Sequence, residues 1–215
     1  MAKKDWKGNK ASSLVTMGAR HNGSTIVPRE ENDFYATDPK ALKLLLELEK
    51  FSPVIWECAC GKGHLSDVLT EHGHHVFSSD IVNRGYKDAS LIDFLHEPTL
   101  NISIDFLYSI TKHTISKFDI ITNPPYRYAE EFVTKALETV AEGQKVAMFL
   151  RIQFLESKKR ALLFKKYPIK TIYVASGRIE CAINGDFTGK PSAACYAWFI
   201  WEKGYKGETT VKFFN

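Results

Sequence analysis

From Val54 onward the chain alternates short apolar runs with amphipathic stretches, and this alternation constrains its fold more than any other feature. Val54-Ile55-Trp56, Val76-Phe77-Ser78-Ser79-Asp80, Asp119-Ile120-Ile121-Thr122, the run from Lys145 to Leu150 and that from Thr171 to Ala175 have the length and the β-branched or aromatic content of strands. Between them, apolar residues recur at helical spacing from His64 to His72, from Tyr128 to Ala141 and from Phe154 to Lys166. Strands separated by helical crossovers pair in parallel, so the pattern predicts an α/β fold with a single sheet covered on both faces. A helix ahead of the first strand is announced by Asp38 as N-cap and Pro39 as opening residue, and it runs to about Lys50 with Ala41, Leu42, Leu45, Leu46 and Leu48 on its apolar side. The stretch from Ala194 to Trp201 is a late strand, and Val211 to Phe214 adds an edge strand. In the late strand Trp198 and Trp201 fall on opposite faces, which predicts at least one of them in the core.

The chain has 215 residues, 44% hydrophobic and 25% charged, which fits one compact globular domain and excludes a disordered chain. That domain is expected over residues 33–215. Residues 1–32 have neither helical nor strand periodicity and read as a flexible basic tail carrying Lys3, Lys4, Lys7, Lys10, Arg20 and Arg29. The net charge of +4 is compatible with a polyanionic partner without requiring one. No apolar run approaches the roughly 20 residues of a membrane span, and no leader-like stretch opens the chain, so the expected location is cytoplasmic and without a membrane. Cys58, Cys60, Cys181 and Cys195 form no C-x-x-C pair, and His64, His72, His74 and His75 have no carboxylate or thiolate at ligand spacing, so no metal is expected.

Two segments carry chemistry. Glu57-Cys58-Ala59-Cys60-Gly61-Lys62-Gly63 joins a strand to a helix, where glycines allow a sharp turn and close backbone approach to a ligand. The dinucleotide fingerprint is broken at Ser66, and Asp80 closes the next strand, where its carboxylate can accept from ribose hydroxyls and would repel phosphate; the pair favours an adenosine-like ligand. Asn123-Pro124-Pro125-Tyr126 lies just beyond the strand ending at Thr122, on the side where open α/β sheets bind ligands. Its prolines fix the backbone and remove two N–H donors, leaving an acceptor-rich edge suited to a planar amine. Asn123 and the Pro124 carbonyl can each take one amine hydrogen, and Tyr126 offers an aromatic face for a base.

With Asp33-Phe34-Tyr35-Ala36-Thr37-Asp38-Pro39 ahead of the glycine loop, and Asp93-Phe94 after Asp80, these pieces follow an order that resembles class I S-adenosylmethionine-dependent methyltransferases. The resemblance is to the small adenine-N6 DNA methyltransferases of phages and prophages, and it covers about residues 33–203. It implies a Rossmann-like, mostly parallel sheet with an antiparallel late strand. It also implies S-adenosylmethionine as cofactor, held by Phe34, Tyr35 and Thr37 at its methionine end, by Glu57, Cys58, Ala59, Gly61 and Gly63 in the loop, by Asp80 and Ile81 at the ribose, by Asp93 and Phe94 at its adenine, and by Asn123. Asn123, Pro124, Pro125 and Tyr126 would hold the target adenine of DNA.

Little of the chain remains after Leu150 once the sheet is complete, so no separate target-recognition domain is expected and specificity should be short or relaxed. Arg127, Arg178 and Lys190 are the candidate nucleic-acid contacts, together with the charged stretch Lys158-Lys159-Arg160 and Lys165-Lys166. A planar conjugated amine also occurs in RNA adenine and in protein glutamine, so both substrates stand as alternatives, as does a binding module of this fold without turnover.

Overall fold

The computed structural model describes residues 19–22, 25–28, 35–96, 117–183, 185, 187–189, 192 and 194–215. The chain divides into two compact units, Met1–Asp33 and Phe34–Asn215. In the first, β1 (Ala19–Asn22) and β2 (Thr25–Pro28) pair antiparallel with Ala19 opposite Pro28. The sequence of this segment, without strand periodicity, predicts no strand.

The second unit opens with β3 (Tyr35–Thr37) and α1 (Pro39–Leu48), whose N-cap Asp38 accepts from the Lys40 N–H at 2.9 Å. Then follow β4 (Val54–Glu57), α2 (His64–Glu71), β5 (His75–Asp80), β6 (Ala89–Leu91), β7 (Asp119–Thr122), α3 (Ala129–Thr139) and β8 (Lys145–Arg151). The chain closes with α4 (Arg160–Lys166), β9 (Thr171–Ala175), β10 (Cys181–Ile183), β11 (Tyr196–Glu202) and β12 (Thr210–Phe214). The single helix expected from Phe154 is two pieces: a 3-10 turn at Ile152–Leu155 precedes α4. The Arg160 guanidinium donates to the carbonyls of Phe154 at 2.6 Å and Gln153 at 3.2 Å, which satisfies the end of the turn before α4 begins.

Eight strands form one sheet in the order β12-β9-β11-β8-β7-β4-β5-β6. All neighbours are parallel except at β11, which runs antiparallel to both β8 and β9. The fold is thus the expected α/β sheet with a late antiparallel strand, and β12 supplies the expected edge. Helices α1 and α2 cover one face, packing Leu42, Leu45, Leu65 and Leu69 onto Ile55, Ile121 and Phe149. Helices α3 and α4 cover the other, with Phe132, Val133 and Leu163 against Trp56, Ile120 and Val146. Trp198 belongs to the first layer and Trp201 to the second, both fully buried, in keeping with the expectation of at least one core tryptophan.

This arrangement brings the carboxyl ends of the parallel strands β5, β4, β7 and β8 to one edge of the sheet, carrying Asp80, Glu57, Thr122 and Arg151. The segment 97–116 lies outside the described residues.

Candidate active site

At the end of β4 the chain turns through Gly61 and Gly63, whose φ values of 58° and 83° lie in the left-handed region open to glycine. Asp80 stitches this turn to the neighbouring strand: its Oδ2 accepts from the Gly61 N–H at 2.8 Å and its Oδ1 from the Val82 N–H at 2.9 Å. Each oxygen has a second lone pair, and the Arg84 guanidinium stands 4.0 Å from Oδ1. Gly63 is required for a reason the sequence does not show. A Cβ there would lie 2.3 Å from the ring of Tyr86, which crosses the turn and donates its hydroxyl to Asp67 at 3.0 Å. Cys58 is buried and Ala59 half-buried beside the loop, and burial pushes the Cys58 thiol far above its ordinary range.

Glu57 is only 1% exposed and accepts from the Ser66 hydroxyl, which lies 2.6 Å from that of Ser78. Burial pushes its carboxyl up to about 8, a rise that the hydrogen bonds from Ser66 offset in part and that the nearby charges of Asp80 and Asp67 reinforce. The carboxyl is therefore mostly neutral at pH 7. Ile81, immediately after Asp80, is 56% exposed and presents an apolar surface at the end of β5.

The second half of the site is assembled from three distant segments. Strand β3 pairs antiparallel with β10, Tyr35 opposite Ile183 and Thr37 opposite Cys181, and the Asp38 N–H extends the ladder to the Glu180 carbonyl at 3.2 Å. The Asn123 amide donates from Nδ2 to the Tyr35 carbonyl at 2.6 Å. That bond fixes which end of the amide is which, and leaves Asn123 Oδ1 buried with no hydrogen-bond partner among the described residues. Thr37 Oγ1 is likewise buried without one. The Pro125 carbonyl is taken by the Tyr128 N–H at 2.9 Å, whereas the Pro124 carbonyl accepts nothing from the described residues.

Tyr126 does not stand alone. Its ring stacks near-parallel to Tyr35 at a centroid distance of 6.2 Å, meets Tyr196 at 6.0 Å, and lies 5.3 Å from the Arg151 guanidinium. Its hydroxyl is 3.7 Å from the Cys181 thiol, and burial pushes the phenol well above its usual value. Arg151, Tyr196 and Cys181 were not anticipated from the sequence, since they belong to no motif. The only available signal was a cation ending the long apolar run of β8.

The remaining expected residues are spread out. Asp93 is partly exposed, with its carboxylate taken by the Leu95 N–H at 3.1 Å and by His96 at 2.8 Å. Phe94 is a core residue, edge-on to Trp56 at 5.2 Å and 5.1 Å from Phe132. Arg127 is exposed beside the Tyr128 ring, and Arg178 donates to the Ser192 carbonyl at 3.3 Å. Phe34 and Lys190 lie outside the described residues. The basic stretch around α4 is partly neutralised: Lys159 pairs with Glu130 at 3.4 Å and Lys166 with Glu138 at 3.7 Å, both on α3, while Arg160 is a structural cap. The loop after β10 reaches the glycine turn, where a Cβ on Gly185 would lie 3.0 Å from His64 and Phe187 meets the His64 ring edge-on at 5.4 Å. Among the described residues no group of His, Cys, Asp and Glu is arranged to hold a metal, and no helix is long and apolar enough to cross a membrane.

No family profile matches the chain, and no curated protein matches it. Solved structures do. A Listeria monocytogenes protein provisionally assigned as a class I S-adenosylmethionine-dependent methyltransferase superimposes with a TM-score of 0.52 at 14% identity, over 80% of this chain and 62% of that one. The methyltransferase subunit of a type I restriction-modification system from Streptococcus thermophilus gives 0.55 at 14% identity, over 82% of this chain and 46% of the subunit. A Pyrococcus horikoshii protein provisionally assigned as an RNA methyltransferase gives 0.52 at 15% identity, over 76% and 81%. This chain thus spans less than two thirds of the Listeria protein and under half of the Streptococcus subunit. The fold is the Rossmann-like fold of class I S-adenosylmethionine-dependent methyltransferases.

Proposed function

We propose, from the methyltransferase fold of this chain, that it transfers a methyl group from S-adenosylmethionine to the exocyclic N6 amine of adenine in DNA. The observation that carries this reading is Asn123: an amide whose nitrogen is committed to the Tyr35 carbonyl at 2.6 Å and whose buried oxygen has no partner among the described residues. A buried acceptor left open costs about 1–3 kcal/mol, so it is retained where a ligand will satisfy it. A planar NH2 fits, with one hydrogen on Asn123 Oδ1 and the other on the Pro124 carbonyl, an arrangement that draws the nitrogen lone pair out of conjugation.

The residues at the carboxyl edge also suit the donor. Asp80 would take the ribose hydroxyls, with Oδ2 bonded only to the Gly61 N–H among the described residues, and the exposed Ile81 would pack on the adenine that Asp93 would hold. Gly61 and Gly63 would form the cradle with Glu57, Cys58 and Ala59, and Tyr35 and the unpartnered Thr37 hydroxyl would close over the methionine end. When bound, the donor supplies an electrophilic methyl group on a sulfonium. The protein's task is to hold the amine in line with that methyl group: the nitrogen lone pair forms the N–C bond, the C–S bond breaks with its electrons left on the sulfur of S-adenosylhomocysteine, and the methylated amine then gives up one proton to water, so the positioned, partly desolvated acceptor pair contributes mainly by orientation. Arg127, Arg178 and Lys190 would contact the DNA backbone.

The test is mass spectrometry of nucleosides from a methylation-deficient host expressing the protein or its Asn123→Ala variant. N6-methyladenine in DNA with the parent alone is the expected result. The mark in RNA, or methylated glutamine in protein, with unmodified DNA would overturn the choice of substrate. Donor binding without any product would leave a binding module.

A further inference from the structure

Arg151 ends β8 on the face that carries Ala147 and Phe149, opposite Tyr196 in the β8–β11 ladder, with its guanidinium 5.3 Å from the Tyr126 ring. It is half-buried. Guanidinium groups stay charged at any pH the fold survives, and a charge withdrawn from water is normally matched by a carboxylate. None is here: among the described residues Arg151 makes no ion pair, and the titratable groups around it are the uncharged hydroxyls of Tyr196, Tyr126 and Tyr35. Its Nε is buried without a geometrically sound hydrogen bond. The Tyr126 ring, with Tyr196 and Tyr35 nearby, therefore surrounds a cation whose counter-charge no described residue supplies.

The strand order says which side of the site this cation serves. In the sequence β8-β7-β4-β5, Asn123 at the end of β7 separates Arg151 from the glycine turn that follows β4. An anion reaching Arg151 thus approaches from beyond the amine-holding edge, on the side away from the cradle. We propose that Arg151 anchors a phosphate of the target nucleotide, so that the substrate is a nucleic acid rather than a protein amide. This rests on the reading of Asn123 as the amine holder. A glutamine side chain brings no charge to this position, whereas a nucleotide whose base lies on Asn123 brings a phosphate on either side of its sugar. The planar fork of Arg, held over the Tyr126 ring, suits bidentate recognition of phosphate oxygens.

The experiment measures binding of a mixed-sequence single-stranded DNA oligonucleotide to the full chain with S-adenosylhomocysteine present, by fluorescence anisotropy over a salt series, for the parent, Arg151→Gln and Arg151→Lys. Single strands avoid the cost of extruding a base. Arg151→Gln should bind about tenfold more weakly, with the slope of log affinity against log salt reduced by about 0.7, the value of one lost phosphate contact on a single strand. Arg151→Lys keeps the charge without the fork, and should retain the slope while losing several-fold in affinity. S-adenosylmethionine affinity, measured by calorimetry, should match the parent in both variants, which also reports that they are folded.

Unchanged DNA affinity and slope in Arg151→Gln would overturn the proposal. So would a parent that binds no DNA, or a loss of donor affinity in its place, which would assign Arg151 to the donor's carboxylate. A parent that binds DNA with the expected Arg151 dependence and yet yields no N6-methyladenine would leave the anchor standing and remove the adenine reaction.

Discussion

Replacing Glu57 by Gln should change how stability depends on pH, by an amount that follows from the burial of that side chain. Glu57 is almost wholly buried, and its carboxyl is raised from 4.5 to about 8, chiefly by desolvation. The unfolded chain therefore loses this proton near pH 4.5 while the folded chain keeps it to about pH 8. Across that window the unfolded state binds fewer protons, so stability falls as pH rises, and the loss is complete above the folded value. At about 1.4 kcal/mol per pH unit, the full loss is on the order of 5 kcal/mol, comparable with the whole stability of a small domain at about 5–15 kcal/mol. Gln presents a neutral group of nearly the same shape, and its oxygen can still accept from Ser66. Glu57→Gln should thus match the parent within about 1 kcal/mol at pH 5 and exceed it by several kcal/mol at pH 8. Urea denaturation at half-unit steps from pH 5 to 9 provides the comparison, because the titration of every other group is common to both proteins. A difference between the two that does not grow with pH would refute the reasoning, and would mean that Glu57 is ionised in the folded protein.

Asn123→Ala should lower turnover about 10²-fold, as loss of one preorganised contact does elsewhere, while calorimetry finds donor affinity within a few-fold of the parent; near-normal turnover would contradict its role. Asp80→Asn turns an NH2 toward one of the two backbone N–H groups of Gly61 and Val82. It should cost about 1–3 kcal/mol in urea denaturation and also weaken donor binding. Gly63→Ala combines a left-handed φ with a Cβ 2.3 Å from the Tyr86 ring, so it should destabilise by about 2 kcal/mol or more. Adding Tyr86→Ala should return part of that loss, and strict additivity of the two changes in thermal melts would show that the ring is not the obstacle.

The sequence alone makes the layered sheet legible, because strand and helix periodicities are local and each buries its own apolar side. It also determined where chemistry would gather. A glycine turn after β4, an acidic residue ending β5 and a proline-stiffened turn after β7 must meet at one edge once the strands are parallel. The boundaries that moved did so for reasons no period carries. Phe154 begins no helix because Arg160 reaches back to cap the turn around it, and Phe94 fills the core beside Trp56 although its neighbour Asp93 is partly exposed. The orientation of Asn123 required β3 to return over the sheet and bond an amide 88 residues away, and β3 itself is paired with β10 from the far end of the chain. Arg151 shows the same limit: it is one cation among 29 basic residues until Tyr126 and Tyr196 enclose it with no carboxylate among its described neighbours. Similarly, Lys159 and Lys166 read as free charge until α3 presents Glu130 and Glu138 to them. Apolar burial is coded by spacing along the chain, whereas the partner of a polar group depends on register between segments distant in sequence, and only the folded structure sets that register.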